Sequence, residues 1–310
     1  MSSIVVAAFS AMLFASVGLL WFMANVRFAP DLMRLPIIFF VAVLALGYCT
    51  VRFRPMIATA LGFALALQLG GFFGAASGYF VYSAGAGFPL IDAQLYTIDQ
   101  WMGFDWLAML HWFAGHPLLA KLTQVAYDQA PVQIAIALPL LILARQNDRL
   151  MKLMSAQLLA LFIVHIVAVF APAIGAYGYL GLTASDHPGL SLSSEGHTAV
   201  QVMQLRTGAL FDLSKAPMMG LLTFPSFHTV MAIQAVWGFW RVPVLRWVAV
   251  AFNLLVWVGT LLHGSHHLVD TLAGAVVAVA SIYATYLLTR LVRDKCYPVV
   301  RLPDQAPGTP

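Results

Sequence analysis

Long apolar stretches with few charged residues recur along most of the chain. A helix needs about 20 apolar residues to cross the hydrocarbon core of a membrane. Stretches that reach or approach this length predict eight membrane helices, of which the second and the sixth are the shortest. They cover residues 4–23, 35–50, 56–81, 118–143, 154–171, 227–240, 244–262 and 268–291. The pattern therefore predicts an all-α fold, a polytopic membrane helical bundle.

The composition agrees with a membrane protein and excludes a soluble one. Hydrophobic residues make up 61% of the 310 residues and charged residues 9%, whereas globular proteins contain about 25% charged residues. So few charges cannot cover a surface exposed to water. No nucleic-acid partner is expected despite the net charge of +4. Two cysteines, Cys49 and Cys296, support neither a disulfide framework nor a cysteine metal site.

The distribution of basic residues predicts the orientation. Eight crossings place both termini on the same side of the membrane. If that side is cytoplasmic, it holds eleven of the sixteen Lys and Arg residues, as expected because cytoplasmic loops are rich in these residues. The protein is therefore predicted to have cytoplasmic termini and two long loops, 82–117 and 172–224, on the periplasmic or lumenal side.

The first outer loop contains an amphipathic pattern. Its apolar positions, spaced as on one face of a helix, are Ile91, Leu95, Ile98 and Met102. Asp92 and Asp99 lie between them, which is typical of a helix resting at the membrane interface. Trp101, Trp106 and Trp112 are expected to anchor this region in the interface.

Three regions are predicted along the chain. Residues 1–85 form an N-terminal three-helix membrane region, 86–295 form the membrane catalytic domain, and 296–310 form a disordered cytoplasmic tail. The first helix is expected to be retained, because no small-residue cleavage site follows it; a cleaved signal peptide is the alternative.

Polar residues cluster at the predicted outer ends of the last three helices. His266 and Asp270 are four residues apart, so they share one helix face and can touch. A carboxylate bonded to one ring nitrogen fixes the imidazole tautomer and strengthens the other nitrogen as a base or nucleophile. Gly274, one turn further on, leaves room for a neighbouring helix.

The start of the sixth predicted helix carries a second polar group. Pro225 and Ser226 are typical of a helix start, with Ser226 as the N-cap. Backbone N–H groups at such an end favour an anion, and His228 lies in the first turn. If the two helix ends meet, two histidines flank one anion-binding position, where one could attack phosphorus while the other protonates the leaving oxygen.

These residues resemble a known family. Phe224-Pro225-Ser226-Phe227-His228 and His266-x-x-x-Asp270 followed by Gly274 are similar to the second and third motifs of the type 2 phosphatidic acid phosphatase superfamily, in its inositolphosphotransferase (inositol phosphorylceramide synthase) branch. Ile98-Asp99, Gly103-Phe104-Asp105-Trp106 and Leu205-Arg206-x-Gly208 also resemble that branch. The resemblance covers residues 90–291.

The resemblance implies a reaction and a role for each matching residue. His266 would be the nucleophile that forms a phosphohistidine, Asp270 would orient it, and His228 would be the acid and then the base. Ser226 and nearby amides would hold phosphate oxygens. The implied activity is that of a lipid phosphatase or phosphotransferase without metal or cofactor, acting at the exoplasmic face. Its partners would be a membrane lipid and, in a transfer reaction, a lipid alcohol such as ceramide or diacylglycerol.

The phosphate-binding cations of the family are absent from their usual places. The first motif is missing, and Gly259-Thr260 replaces the Ser-Arg that opens the third motif. Phe227 also stands where the second motif usually has glycine. The remaining candidates are Arg206, preferred because Arg binds phosphate through two hydrogen bonds, together with Lys215, His263 and His267.

Each candidate also has a structural interpretation. His266 and Asp270 could be a helix-capping pair, His228 a hydrogen-bonded interfacial histidine, and Arg206 and Lys215 solvated loop charges.

Three further polar residues are not assigned to the reaction. Tyr177 is expected to pack near the site, and Asp128 to bind a head group or a buried partner. His165 is expected to be a hydrogen-bonded core histidine.

Two other function classes share features with the sequence. The box His263-x-x-His266-His267, with His111 and His116, resembles part of a membrane di-iron desaturase site. Such sites use about eight histidines, and the chain has nine histidines but a single such box. A transporter would show inverted repeats and broken helices at the membrane midplane, and neither pattern is found in the sequence.

Overall fold

The computed structural model describes residues 2–27, 74–182, 190, 197–215 and 218–296, which are mostly helical. The helices are α1 (Ser2–Met23), α2 (Gly74–Ala84), α3 (Asp92–Trp101), α4 (Trp106–Ala114), α5 (Pro117–Asp128), α6 (Ala130–Leu143), α7 (Asn147–Phe170), α8 (Gly175–Leu180), α9 (His197–Arg206), α10 (Phe227–Phe239), α11 (Pro243–Leu262) and α12 (Leu268–Cys296). Two short strands, β1 (Val26–Arg27) and β2 (Phe211–Asp212), pair in parallel, and a 3-10 turn covers Leu213–Lys215.

The helical class is confirmed, whereas the count of eight membrane crossings stays a prediction. Among the described residues three stretches are long and apolar enough to cross a membrane: Asn147–Leu180, Pro243–Leu262 and Leu268–Val292. A fourth is counted if α5 and α6 form one span. The predicted helix 35–50, most of 56–81 and the predicted tail after Cys296 lie outside the described residues.

The predicted fourth membrane helix is two helices. α5 and α6 meet at Gln129 with an angle of 48° between them. Pro131, in the first turn of α6, has no N–H to donate, and its ring clashes with the carbonyl four residues earlier. The proline therefore breaks the helix and leaves Asp128 as the last residue of α5.

α10 lies at the centre of the bundle, where it packs against α7, α11 and α12. A core cluster that includes Leu153, Ala235 and Val256 fills the contact between α7, α10 and α11. α1 packs along α7 and α2, and its Phe9 and Leu13 join the core around Tyr79 and Leu158. The described part of the N-terminal region therefore shares a core with the rest of the bundle.

Basic side chains mark one end of the bundle. The Arg149 guanidinium, at the start of α7, donates hydrogen bonds to the carbonyl groups of Trp237 and Gly238. These groups lie at the C-terminus of α10, where the helix dipole favours a positive charge. Lys152 lies over the ring of Tyr286, 4.7 Å from its centroid. These contacts occur at the C-terminal end of α10, the opposite end of that helix from Ser226.

The helix predicted in the first outer loop is present as α3, but its two aspartates do not face water as an interfacial helix would have them. Asp92 and Asp99 are buried together with Leu95, because both carboxylates accept backbone N–H groups of other segments. Ile98 and Met102, from the apolar stripe, lie on the protein surface, where an interfacial helix would contact lipid.

The three tryptophans of the same loop differ in exposure. Trp101 is 87% exposed and Trp112 is also exposed, as expected of interfacial anchors. Trp106 was wrongly predicted as an anchor, because it is 1% exposed. Its Nε1–H donates to the carbonyl oxygen of His266 at 3.2 Å, and its ring meets Tyr177 edge-on.

α10 and α12 lie directly against each other at Gly274. A Cβ atom at this position would lie 2.4 Å from the carbonyl oxygen of Ser226 and 3.2 Å from Cβ of Thr229. The prediction that Gly274 makes room for a neighbouring helix is confirmed, since any larger residue would collide with the α10 backbone.

We expect Gly274→Ala to destabilise the protein, because the backbone of Ser226 cannot yield as a flexible side chain would. Overpacking of this kind costs about 1–3 kcal/mol, measurable as a lower midpoint of thermal unfolding in detergent. Gly18→Ala on α1 is the matched control, since a Cβ there has no atom within 4 Å. Equal midpoints for the two variants would contradict the close approach at Gly274.

Candidate active site

The start of α10 and the start of α12 meet in one place. The Ser226 backbone N–H donates to the Asp270 carbonyl oxygen at 3.0 Å, which joins the two polar segments singled out in the sequence. The predicted N-cap is confirmed, because the Ser226 hydroxyl oxygen accepts the N–H of Thr229. The two helix ends therefore share one polar site at one end of the bundle.

His266 lies between Asp270 and Ser226. Its Nδ1 is 3.2 Å from Asp270 Oδ2, and its Nε2 is 3.4 Å from Ser226 Oγ. Because an ionised carboxylate can only accept, this contact favours a proton on Nδ1 and leaves the lone pair of Nε2 directed toward the start of α10. Asp270 Oδ2 also accepts the backbone N–H of His267 at 3.0 Å, which fixes the carboxylate relative to the loop.

His228 borders the same site through Tyr127, because Gly264 lies against both His266 and Tyr127. Its ring stacks on Tyr127, with centroids 4.2 Å apart and 25° between the planes. Tyr127 fits there because Gly259 and Gly264 have no side chains. A Cβ at either glycine would lie 3.0 Å from an atom of Tyr127. The last turn of α5 therefore holds the second histidine.

The loop between α11 and α12 is held by hydrogen bonds to backbone groups of two other helices. Ser265 has a positive φ of 58°. Its carbonyl oxygen accepts the N–H of Ala176 at 2.7 Å, and its hydroxyl oxygen accepts that of Tyr177 at 2.8 Å. His263 Nε2 lies 3.0 Å from the Ala120 carbonyl oxygen. Contacts with α5 and α8 thus fix both sides of the loop that carries His266.

The neighbouring histidine has a different environment. The ring nitrogens of His267 lie 3.7 Å from Asp92 Oδ1 and 3.3 Å from Asp99 Oδ2, and all three side chains are buried. Burial by itself lowers the pKa of His267, but attraction to Asp92, Asp99 and Asp270 outweighs burial and raises the pKa to about 9. The imidazole is therefore charged at neutral pH.

The predicted phosphate-binding cations have other partners. The Arg206 guanidinium donates to the carbonyl oxygens of Gly85 at 3.1 Å and Phe88 at 2.5 Å. Lys215 is 81% exposed and lies 3.8 Å from Asp212. The structure brings His228, His266, Asp270 and Ser226 together, whereas His267 contacts carboxylates. Phosphate contacts of Arg206, Lys215 and His267 stay predictions.

The three histidines of the desaturase-like box do not share a ligand position. His263 contacts α5, His266 contacts Asp270 and Ser226, and His267 contacts Asp92 and Asp99. Within the described ranges, no group of three or more His, Cys, Asp or Glu side chains has the arrangement of a metal site.

Two minor predictions are confirmed. His165 is a buried core histidine whose Nε2 lies 2.7 Å from Ser77 Oγ. Tyr177 is buried and packs against Trp106. Asp128 ends α5 at the break, and its predicted role stays open between a head-group contact and a buried partner.

Four residues near the site were assigned no role there by sequence reasoning: Tyr127, Trp106, Asp92 and Asp99. For Tyr127 the sequence held an indirect signal. Gly259 and Gly264, at the end of an apolar helix, indicate that another segment packs closely there, but they do not identify it as the end of α5. Asp92 and Asp99 are seven residues apart and so lie on one helix face, but nothing in the sequence says whether that face is wet or buried.

A family model described as the PAP2 superfamily matches residues 93–284. The match includes α3 apart from its first residue, the start of α10, the loop with His266 and most of α12. Comparisons with curated proteins and with solved structures found no match.

We expect Trp106→Phe to lower stability, since phenylalanine keeps an aromatic ring against Tyr177 but leaves the His266 carbonyl without its N–H donor. A lost buried hydrogen bond costs about 1 kcal/mol, which the midpoint of thermal unfolding measures. Trp101→Phe, at a strongly exposed position, is the control. If Trp106→Phe is no less stable than this control, the hydrogen bond from Trp106 to the His266 carbonyl contributes nothing to stability.

Proposed function

Because the chain belongs to the PAP2 superfamily, a group of phosphatases and phosphotransferases, we propose that it is a membrane enzyme that cleaves a lipid phosphoester through a phosphohistidine. The substrate lipid would remain in the bilayer and present its phosphate to His228 and His266. The alternative classes, a di-iron enzyme and a transporter, gain no support from a specific contact among the described residues.

The contact that carries the proposal is the position of His266 between Asp270 and Ser226. Its Nε2 faces the start of α10, where N–H groups and the helix dipole favour a phosphate oxyanion. Asp270 holds the opposite nitrogen at 3.2 Å and stabilises the ring as it becomes positively charged during attack. A nucleophile and an anion-binding position thus lie side by side.

In the first step, His266 Nε2 attacks phosphorus and a P–N bond forms while the P–O bond to the leaving alcohol breaks. The electron pair of the broken bond stays on the leaving oxygen, which takes a proton from His228. The products of this step are the alcohol and the phosphohistidine. Ser226 and the first turn of α10 would hold the phosphoryl oxygens.

In the second step, an acceptor hydroxyl attacks phosphorus and the P–N bond breaks. His228, now neutral, takes the proton of the acceptor. Water gives hydrolysis, and a lipid alcohol gives transfer. The likeness to inositolphosphotransferases in Phe224–His228 and His266–Asp270 supports transfer of a phospholipid head group to a ceramide- or diacylglycerol-like alcohol as the more specific form of the proposal.

The proposed site faces the periplasm or lumen. The histidines lie at one end of α10, and Arg149 and Lys152 lie near the other end. Since basic residues favour the cytoplasmic side, this separation supports an exoplasmic site and cytoplasmic termini. Arg206 and Lys215 remain proposals as phosphate contacts, with Arg206 the preferred one, whereas a phosphate contact of His267 is the alternative to the role proposed below.

The function is tested with purified protein in liposomes that contain a phospholipid labelled in its phosphate, with and without ceramide. We expect the label to move to free phosphate, to a released head group or to a new lipid. His266→Ala and His228→Ala should each abolish turnover, since one removes the nucleophile and the other the acid.

Membrane insertion of both variants is checked first. His116→Ala is the control, because His116 is exposed and stacks on Trp112, and it should keep full activity. Turnover that persists in His266→Ala would falsify the phosphohistidine mechanism. No product from the wild-type protein with a panel of phospholipids and lipid phosphates would contradict the proposed function.

We expect EDTA to leave the rate unchanged. In the proposed mechanism two imidazoles carry out attack and proton transfer, and N–H groups at the start of α10 stabilise the negative charge of the phosphate, so no metal ion is needed. The lipid assay is repeated after dialysis against the chelator, and the iron and zinc contents of the protein are measured. A rate lost on dialysis and restored by one metal ion would contradict the mechanism and favour the di-iron alternative if that ion is iron.

A further inference from the structure

His267 lies at the centre of a buried group of charges that the reaction does not use. Its ring is fully buried between Asp92 and Asp99, with Asp270 near enough to affect its charge. Its contacts at 3.7 and 3.3 Å lack hydrogen-bond geometry, and they are ion pairs when the ring is protonated. Tyr96 and Tyr179 approach the ring edge-on, with centroids 6.4 and 6.2 Å away.

Asp92 is bonded to a segment outside its own helix. Its carboxylate accepts the N–H groups of Ile174 at 3.0 Å and Gly175 at 2.9 Å. These residues precede Ala176 and Tyr177, which bind Ser265 next to His266. The Asp92 carboxylate therefore connects α3 to the segment that holds one side of the His266 loop.

Asp99 is bonded to the helix that carries Asp270. Its two oxygens accept the N–H groups of Leu268 and Val269, both at 2.9 Å. These groups belong to the first turn of α12, where a negative charge is favoured by the helix dipole. Asp99 thus fixes the start of α12 two residues after His266.

A protonated His267 supplies one positive charge against the two carboxylates that face it. Two buried carboxylates face one imidazole, and each carboxylate is further stabilised by two N–H groups. The pKa of His267 in the folded protein is about 9, above its ordinary value of 6.5. Its charge therefore stabilises the fold fully below pH 6.5, and this contribution is lost as the pH rises through about 9.

We propose that Asp92, His267 and Asp99 form a buried ionic clamp that positions His266 for attack, with all three acting as positioning residues that do not touch the substrate. The inference rests on the proposed function. It differs from the phosphate contact that the sequence predicts for His267. A phosphate ligand would act mainly on KM, whereas a clamp acts on kcat by setting where the nucleophile lies. A displacement of about 1 Å can reduce a rate by about a hundredfold.

The first test compares Asp99→Asn with Asp105→Asn in the lipid assay. Both residues accept N–H groups at a helix start, but Asp105 is exposed and contacts no histidine. We expect Asp99→Asn to reduce kcat about ten- to hundredfold with KM unchanged and Asp105→Asn to keep wild-type constants. A higher KM with wild-type kcat, or no change at all, overturns the proposal.

The second test is a double-mutant cycle with His267→Gln. Removal of the histidine leaves two buried carboxylates without a cation, so a second change, Asp99→Asn, should restore part of the lost kcat and thermal stability. Losses that simply add in the double variant overturn the clamp, because pairs that do not interact give additive effects.

A third measurement needs neither variants nor turnover. In wild-type protein with ¹⁵N-labelled histidine, one imidazole should titrate near pH 9 and the thermal midpoint should fall across the same range. The absence of any imidazole that titrates above pH 8 overturns the clamp. A clamp seen here without turnover in the lipid assay would count against the proposed function alone.

Discussion

The close approach of α10 and α12 is the constraint on which the site depends. Ser226 lies against Gly274 and donates its N–H to Asp270, so the two segments with the histidines are joined by backbone at 3.0 Å. Helices in lipid gain little from apolar burial against each other, and association relies on close packing and hydrogen bonds. The absence of a side chain at Gly274 therefore allows the start of α10 and the start of α12, which are distant in sequence, to form one site.

Carboxylates determine how the surrounding segments are held. Asp92 and Asp99 each accept two backbone N–H groups, and Asp270 accepts the N–H of His267 and contacts His266. Helix starts and loops have N–H groups without partners inside their own segment, which are costly to bury unpaired. Buried aspartates satisfy these groups and at the same time fix the positions of two histidines.

The sequence predicted the parts of this site that depend on local rules. Helical class, the N-cap at Ser226, the pairing of His266 with Asp270 and the space left by Gly274 follow from spacing and residue type along one or two helices. The surroundings of Trp106, Asp92, Asp99 and Tyr127 depend on which segments fold over them. The amphipathic pattern of α3 did not reveal that its two aspartates are buried, because the backbone N–H groups that they bind belong to segments far away along the chain.

The stacking of His228 on Tyr127 limits which residues three positions of this protein can hold. Tyr127 occupies space that exists only because Gly259 and Gly264 lack side chains. A methyl group at Gly264 crowds the ring and one at Gly259 crowds Cβ of Tyr127, and a smaller residue at 127 leaves a void beside the imidazole. The three positions are therefore physically coupled, because a change at any one of them displaces the ring that stacks on His228.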